Sequence, residues 1–313
     1  MVGERIRKAV LGVLAGITAV FTVAKNGHRV KPGAKEVKAE EALGARRAGA
    51  IVKASWDLPV EKNKRVDYWI DFLRTKRYDD TREWVERLGY YGPMIQKKLR
   101  ERGMPEDLVF LAMAESGLDP TAYSRADASG MWQFIAETGR RYGLEVSRYV
   151  DERNDPIKST DAALDYLQDL YDHFGSWYLA AAAYNTGENR VDRVLRQRAG
   201  GQRGDESLYW RIGEFLPRET RDYVPIMLAV GHIGKDPARY GFEDLRYQEP
   251  MRFERARVKP GTRLADVARA AGVDTEEIER LNPHLIRGQT PPDRDWDVRV
   301  PPGTADAVEK ALG

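Results

Sequence analysis

Glu115 is the residue of this sequence whose type and position most favour chemistry. Leu108, Leu111, Ala112 and Glu115 fall at i, i+3, i+4 and i+7, so the glutamate lies on the apolar stripe of a predicted helix. Burial and the negative end of the helix dipole both disfavour the carboxylate and raise its pKa. A protonated carboxyl can act as a general acid on a glycosidic oxygen. A lone glutamate is more often structural, as a cap or a salt-bridge partner at a helix end, and this alternative stays open at this point.

The boundaries of that helix are marked by the residues on either side. Pro105 at the first helical position and acids in the first turn predict the start, and Gly117 predicts the end. Asp119-Pro120 predicts another helix start, with Asp119 as an N-cap rather than a second catalytic acid. Ordinary glycosidases use two carboxylates that flank the bond, and no partner acid stands out here.

The surrounding residues predict a helical domain that positions the glutamate. No alternating run of strand length occurs between residues 65 and 245. The block from Gly130 to Phe134 places apolar side chains around one amide, which suits either a core or a pocket. Helices are predicted over Val66–Arg77, around Met94–Arg102, from Asp155-Pro156, over Trp177–Tyr184 and from Leu216-Pro217.

Composition limits the classes of function. The chain has 313 residues, 42% of them hydrophobic and none of them cysteine, which is a globular composition with room for about two domains. A net charge of +2 gives no reason to expect a nucleic-acid partner. Without cysteine, clustered histidine or a phosphate-binding loop, no metal and no cofactor is predicted; the histidines are His28, His173, His232 and His284.

The first 64 residues differ from the rest. Basic residues precede an uncharged, mostly apolar run over residues 9–24, so residues 1–25 are predicted to be a signal peptide or N-terminal anchor. Membrane association through residues 9–24 stays open, and the expected location is the periplasm or cell envelope. Residues 26–64 are rich in Lys, Glu, Ala and Arg and are predicted to be a charged linker.

Several sequence blocks in series resemble those of a known family. They are Glu115-Ser116 with Pro120 and Ser124, Gly130-Met131-Trp132-Gln133-Phe134, Ala183-Tyr184-Asn185 with Gly187, Leu216-Pro217 with Glu219-Thr220, and Tyr223-Val224-Pro225. Their order and spacing over residues 65–245 resemble the soluble-lytic-transglycosylase family, which is lysozyme-like, in its membrane-bound murein transglycosylase D branch.

The resemblance implies an all-helical lysozyme-like domain over residues 65–248. Such domains cleave the bond from N-acetylmuramic acid to N-acetylglucosamine in peptidoglycan strands and leave 1,6-anhydromuramic ends. The resemblance makes Glu115 the single catalytic carboxylate, first as acid and then as base. Carried over by matching position, the substrate-binding residues are Ser124, Met131, Gln133, Tyr184, Asn185 and Tyr223.

Residues 252–304 resemble a LysM module, a small βααβ unit that binds glycans. A strand is predicted over Phe253–Lys259, two short helices follow, and a return strand is predicted near Val298–Pro301. Gly261-Thr262-Arg263 replaces the usual Gly-Asp-Thr, so the module either binds glycan or packs on the catalytic domain. Residues 305–313 are expected to be a tail.

Two other functions stay open beside the lytic transglycosylase. One is a non-catalytic peptidoglycan-binding or scaffold protein, and the other is a hydrolytic muramidase. For each of these functions the expected partners are peptidoglycan strands and, as candidates, cell-wall synthesis or division proteins. An acid in an apolar slot favours an enzyme, because a binding module gains little from a desolvated carboxyl. Hydrolysis would leave a reducing muramic end, so the product separates the two enzymes.

Overall fold

The computed structural model describes residues 55–313 of the chain. The predicted signal or anchor and most of the predicted linker lie outside these residues. Nine α-helices lie in the first part of the described chain, a short 3-10 turn at Glu106–Leu108 precedes the third, and the predicted mainly helical fold class is confirmed. The helices are α1 (Lys64–Lys76), α2 (Tyr78–Glu101), α3 (Val109–Ser116), α4 (Ala136–Arg141), α5 (Pro156–Phe174), α6 (Trp177–Thr186), α7 (Glu188–Ala199), α8 (Ser207–Ile212) and α9 (Arg218–Lys235).

Helix α3 lies in the middle of this helical unit, and all eight of its residues are buried. Helix α9 packs against α1, α3 and α6, and α5 packs against α6. Side-chain caps fix where several helices begin: Asn63 caps α1, Asp155 caps α5 and Ser176 caps α6. A short helix buried on every side owes its stability to packing, so the neighbouring helices determine where α3 lies.

Two predicted boundaries were wrong. The helix predicted near Met94 is the end of the 24-residue α2, which continues through Pro93. No helix follows Asp119-Pro120, where the Asp119 carboxylate instead accepts hydrogen bonds from the Thr121 amide and hydroxyl in a tight turn. The chain then forms an irregular loop in which the Gly130 amide donates to the Ala122 carbonyl.

The last residues of the predicted linker belong to the folded unit. Leu58 is buried, and the Trp56 ring packs on Phe110 of α3. The Asp57 carboxylate accepts hydrogen bonds from the amides of Glu106 and Asp107, at 2.7 and 3.1 Å. It therefore satisfies two donors at the start of the turn that leads into α3.

The second unit is a two-stranded sheet with three helices. Strands β1 (Glu254–Val258) and β2 (Trp296–Val300) pair antiparallel, with Glu254 opposite Val300 and Val258 opposite Trp296. Between them lie α10 (Leu264–Ala271) and α11 (Thr275–Leu281), as the βααβ prediction requires. The expected tail instead forms α12 (Ala305–Leu312), which packs on β1 and buries Val308.

The two units are in direct contact. Val150 of the helical unit is fully buried in the apolar core of the second unit. The Asp151 amide donates to the His284 carbonyl at 2.9 Å, and the Ile286 amide donates to the Tyr149 carbonyl at 3.2 Å. Within residues 55–313, no helix combines the length and apolar character needed to cross a membrane.

Candidate active site

Glu115 occupies the last turn of α3, where only 5% of its surface remains exposed. Gly117 ends the helix in the left-handed conformation, with φ of 63°, and its amide donates to the Met113 carbonyl. A β-carbon at Gly117 would lie 2.2 Å from the Trp84 ring, so glycine is needed both for the turn and for the space. The helix end therefore fixes the backbone of the buried acid.

Burial is the main reason that the pKa of Glu115 rises from its usual 4.5 to about 8. The charge of Glu219 raises it further, and a hydrogen bond from Tyr223 works in the opposite direction. At neutral pH the folded protein therefore holds this carboxyl in its protonated form.

The two oxygens of Glu115 have different surroundings. Oε1 accepts a hydrogen bond from the hydroxyl of Tyr223, a fully buried residue of α9. Oε2 has no hydrogen-bond partner among residues 55–313. Burial and the nearby Glu115 raise the pKa of Tyr223 well above 10, so this phenol stays a donor. The arrangement holds one oxygen in place and leaves the other able to carry and transfer a proton.

The loop over residues 122–134, here called the cleft loop, carries Gln133. Its backbone has φ of 50°, a left-handed conformation that is strained for a residue with a side chain. The side-chain amide nitrogen of Gln133, Nε2, donates to the carbonyls of Ala122 and Gly130, at 3.2 and 2.8 Å. Its Oε1 has no partner among the described residues, so this half-buried side chain offers an acceptor.

Three hydrogen bonds join the cleft loop to helices around Glu115. The Ser116 hydroxyl donates to the Met131 carbonyl at 2.8 Å, and the Tyr184 hydroxyl donates to the Trp132 carbonyl at 2.8 Å. The Trp132 indole donates to Thr160 of α5 at 3.0 Å. Met131 itself is fully buried, so its side chain packs in the core.

Ser124 and Asn185 lie in hydrogen-bond networks of their own. The buried Ser124 oxygen accepts from the amides of Ala126 and Ala128, which closes a turn of the cleft loop. The Asn185 oxygen accepts from the Thr220 hydroxyl at 2.8 Å. No hydrogen bond joins either side chain to Glu115 in the part of the chain described, and their substrate-binding roles stay predictions.

Glu219 was missed as part of the site. Its half-buried carboxylate accepts a hydrogen bond from Asn185 at 3.5 Å, and its charge acts on Glu115. The signal was present in the sequence, because Glu219 precedes Tyr223 by one helical turn and so shares its face. Among residues 55–313, no group of three or more His, Asp or Glu side chains could hold a metal ion.

Comparison with known families identifies both units. Residues 92–205 match the transglycosylase SLT domain, and residues 252–313 match the LysM-like domain of the lytic transglycosylase MltD. The helical unit therefore contains a transglycosylase SLT domain, and the second unit is an MltD-type LysM-like domain, as the resemblance predicted.

Individual relatives agree with this assignment. The chain is 36% identical over 242 residues to membrane-bound lytic murein transglycosylase D of Escherichia coli K12, a match that covers 77% of this chain and 52% of that protein. It is 36% identical over 104 residues to peptidoglycan transglycosylase gp16 of phage T7, covering 32% of this chain and 8% of that protein. The chain thus spans about half the length of the transglycosylase D relative.

Proposed function

We propose that this protein is an exported lytic transglycosylase of peptidoglycan. It cleaves the β-1,4 bond between N-acetylmuramic acid and N-acetylglucosamine and leaves a 1,6-anhydromuramic end. The observation that carries the proposal is the buried Glu115, with Oε1 held by Tyr223 and Oε2 unpartnered among the described residues, in surroundings that raise its pKa and favour the protonated form. The relatives are named for murein or peptidoglycan, which supports the substrate class. The export signal rests on the sequence of residues 1–25.

Glu115 serves first as the acid. Its proton passes to the glycosidic oxygen, the bond from that oxygen to the anomeric carbon breaks, and positive charge develops on the sugar. The resulting carboxylate is stabilised by the hydrogen bond from Tyr223, which is the contact that lowers the pKa of Glu115. Burial makes it harder for Glu115 to lose its proton, and the hydrogen bond from Tyr223 partly offsets that effect.

Glu115 serves next as the base. The carboxylate takes the proton of the muramic 6-hydroxyl as that oxygen bonds to the anomeric carbon. The carboxyl is thereby restored, the substrate supplies its own nucleophile, and no water is consumed. In this scheme the free acceptor of Gln133 binds a sugar hydroxyl or amide, while the buried Ser124 and Met131 maintain the shape of the cleft loop.

A hydrolytic muramidase is the second candidate function, because Glu219 provides a second carboxylate near Glu115. A hydrolase needs a carboxylate that activates water on the far side of the sugar, and Glu219 is the acid whose charge acts on Glu115. In the favoured scheme Glu219 instead raises the pKa of Glu115 and binds Asn185. A glycan-binding scaffold is disfavoured, because keeping a desolvated acid would give it nothing.

The decisive experiment is mass spectrometry of soluble products from isolated sacculi. We expect anhydromuramic products from wild type and none from Glu115→Gln, whose amide keeps the Tyr223 contact and has no acidic proton. Glu137→Gln, an exposed glutamate of α4, is the matched control and is expected to act like wild type. Products heavier by one water would establish hydrolysis, and sedimentation on sacculi without products would establish a binding protein.

A further inference from the structure

A buried ion cluster joins the LysM-like module to the helical unit. Arg299 of β2 contacts the Asp155 carboxylate with 2.5 Å between Nη2 and Oδ2, and His284 Nδ1 lies 3.4 Å from the same oxygen. Asp155 and Arg299 are 1% and 4% exposed. Removing one member of such a pair leaves an uncompensated buried charge, so the contact fixes the module in one position.

The segment over residues 146–155, here called the bridging segment, is shared by both units. Its Val150 side chain is part of the core of the module, and its backbone makes the two hydrogen bonds to His284 and Ile286 described above. Arg294 of the module also contacts Glu145, next to the segment, with 2.7 Å between Nη2 and Oε2. The bridging segment is therefore held by the module.

The same segment holds the cleft loop through Arg153. Two guanidinium nitrogens bind the Asp151 carboxylate at 2.9 and 2.7 Å. The third donates to the carbonyls of Asp127 and Phe134, at 2.8 and 3.1 Å. Gly130 lies so close to the Arg153 carbonyl that a β-carbon there would be 1.8 Å away. The planar guanidinium thus fixes two points of one loop at once.

Asp155 provides a second series of contacts from the module to the cleft loop, beside the one through Arg153. Its Oδ1 accepts hydrogen bonds from the amides of Ile157 and Lys158 and so caps α5, while Oδ2 binds Arg299. One turn further along, Thr160 accepts the Trp132 indole proton of the cleft loop. Because the Trp132 carbonyl binds Tyr184 and the Met131 carbonyl binds Ser116, both series of contacts end at residues beside Glu115.

We propose that the LysM-like module is a structural part of the active site, and that Arg299 and Arg153 are positioning residues which hold the cleft loop against the catalytic glutamate. The proposal rests on the function proposed above and adds a task for the module other than binding glycan. Its chemical basis is that a catalytic group displaced by about 1 Å can lose on the order of 100-fold in rate.

The test compares Arg299→Met with Arg269→Met. Arg269 lies on the exposed side of α10, where it pairs with Asp266, so it is the matched control. We expect Arg299→Met to lower kcat roughly 10- to 100-fold with KM and sedimentation on sacculi unchanged. We also expect it to shift the NMR resonance of the Trp132 indole proton, assigned with Trp132→Phe. Arg299→Lys is expected to restore part of kcat and part of the Trp132 resonance position. Arg269→Met is expected to change neither kcat nor that resonance.

A double variant covers the case in which Arg299→Met does not fold. Asp155→Asn with Arg299→Met leaves no unpaired buried charge, and asparagine still caps α5. A folded variant with wild-type kcat and an unmoved Trp132 resonance would overturn the proposal. Should the wild type itself release no products, the proposed function falls, and the Trp132 resonance alone then decides whether the module positions the loop.

Discussion

At the scale of a single residue, the acid role proposed for Glu115 predicts the pH range of activity. Because the pKa is raised to about 8, the acid form required for the first step dominates below pH 8. We expect kcat/KM to fall about tenfold per pH unit above pH 8. Rates measured from pH 5 to 10 on soluble glycan strands test this. A fall that begins near pH 5 would mean that the carboxyl is not desolvated during the reaction.

Tyr223→Phe provides the control for that profile. The hydrogen bond from Tyr223 lowers the pKa of Glu115, so its removal is expected to move the alkaline limb to higher pH. It should also lower kcat, since the carboxylate formed in the first step loses its donor. A limb that moves to lower pH would contradict the role given to Tyr223.

The buried acid also affects stability. The pKa of Glu115 is about 8 in the folded chain and near 4.5 when unfolded, so the folded state binds more protons and loses stability as pH rises from about 4.5 to 8. Glu115→Gln has no such proton to lose. At pH 8 we expect its free energy of unfolding to exceed that of wild type by roughly 4 kcal/mol and its melting temperature to be higher, whereas at pH 4 the two proteins should melt at similar temperatures. Equal melting at both pH values would contradict a raised pKa.

Sequence reasoning identified Glu115 because a charged residue in an apolar stripe is a local feature. Its partners Tyr223 and Glu219 lie more than 100 positions away, and only tertiary packing of α9 on α3 brings them near. Tyr223 was suggested by resemblance, whereas Glu219 was named only as part of a resembling block and was given no role. The sequence pattern did not indicate that the Tyr223 hydroxyl is the group that donates a hydrogen bond to Glu115.

At the scale of an element, Gly117 determines how α3 ends. Gly117→Ala combines a left-handed backbone with a β-carbon inside the Trp84 ring. Gly143→Ala has a similar backbone, φ of 82°, and no heavy atom within 4 Å of the added carbon. We expect Gly143→Ala to cost about 1 kcal/mol and to leave turnover unchanged. Gly117→Ala should cost more and reduce turnover; thermal melts and assays compare them, and equal effects would exclude the steric explanation.

The element boundaries that were predicted correctly are those with a complete local signal. Asp155-Pro156 gives both a cap and a favoured first residue, and α5 begins there. Asp119-Pro120 carries the same two residues and begins no helix. The difference is that the chain after Pro120 is drawn into the cleft loop by distant contacts, such as Arg153 to the Asp127 carbonyl. At Asp119-Pro120 these tertiary contacts therefore outweigh the local preference for starting a helix.

At the scale of the whole molecule, a few residues before α1 complete the core. The Trp56 ring packs on Phe110 and His232, and the Lys235 ammonium lies 4.9 Å from its centroid. We expect Trp56→Ala to lower the free energy of unfolding by about 3 kcal/mol in denaturant melts. Phe215→Ala, an aromatic that is 49% exposed, is expected to cost less than about 1 kcal/mol. A smaller loss for Trp56 than for Phe215 would contradict this packing.

The sequence did not reveal this packing, because two apolar residues among charged ones give no periodic signal. The docking of the LysM-like module was likewise only one of two alternatives. Its contacts depend on single residues, Val150, His284 and Arg299, that are not part of any recognisable motif. Their positions follow from the complete fold.

The raised pKa of Glu115 also predicts which ligands would block the proposed active site. A ligand that places a fixed positive charge beside Glu115 binds the carboxylate, so its binding below pH 8 must expel a proton. Its affinity is expected to rise about tenfold per pH unit up to pH 8 and then level off, which titration calorimetry in buffers of different ionisation enthalpy would detect. Such a compound would bind most tightly above pH 8, where kcat/KM is expected to fall. The affinity of an uncharged glycan mimic would instead depend on pH in the same way as kcat/KM.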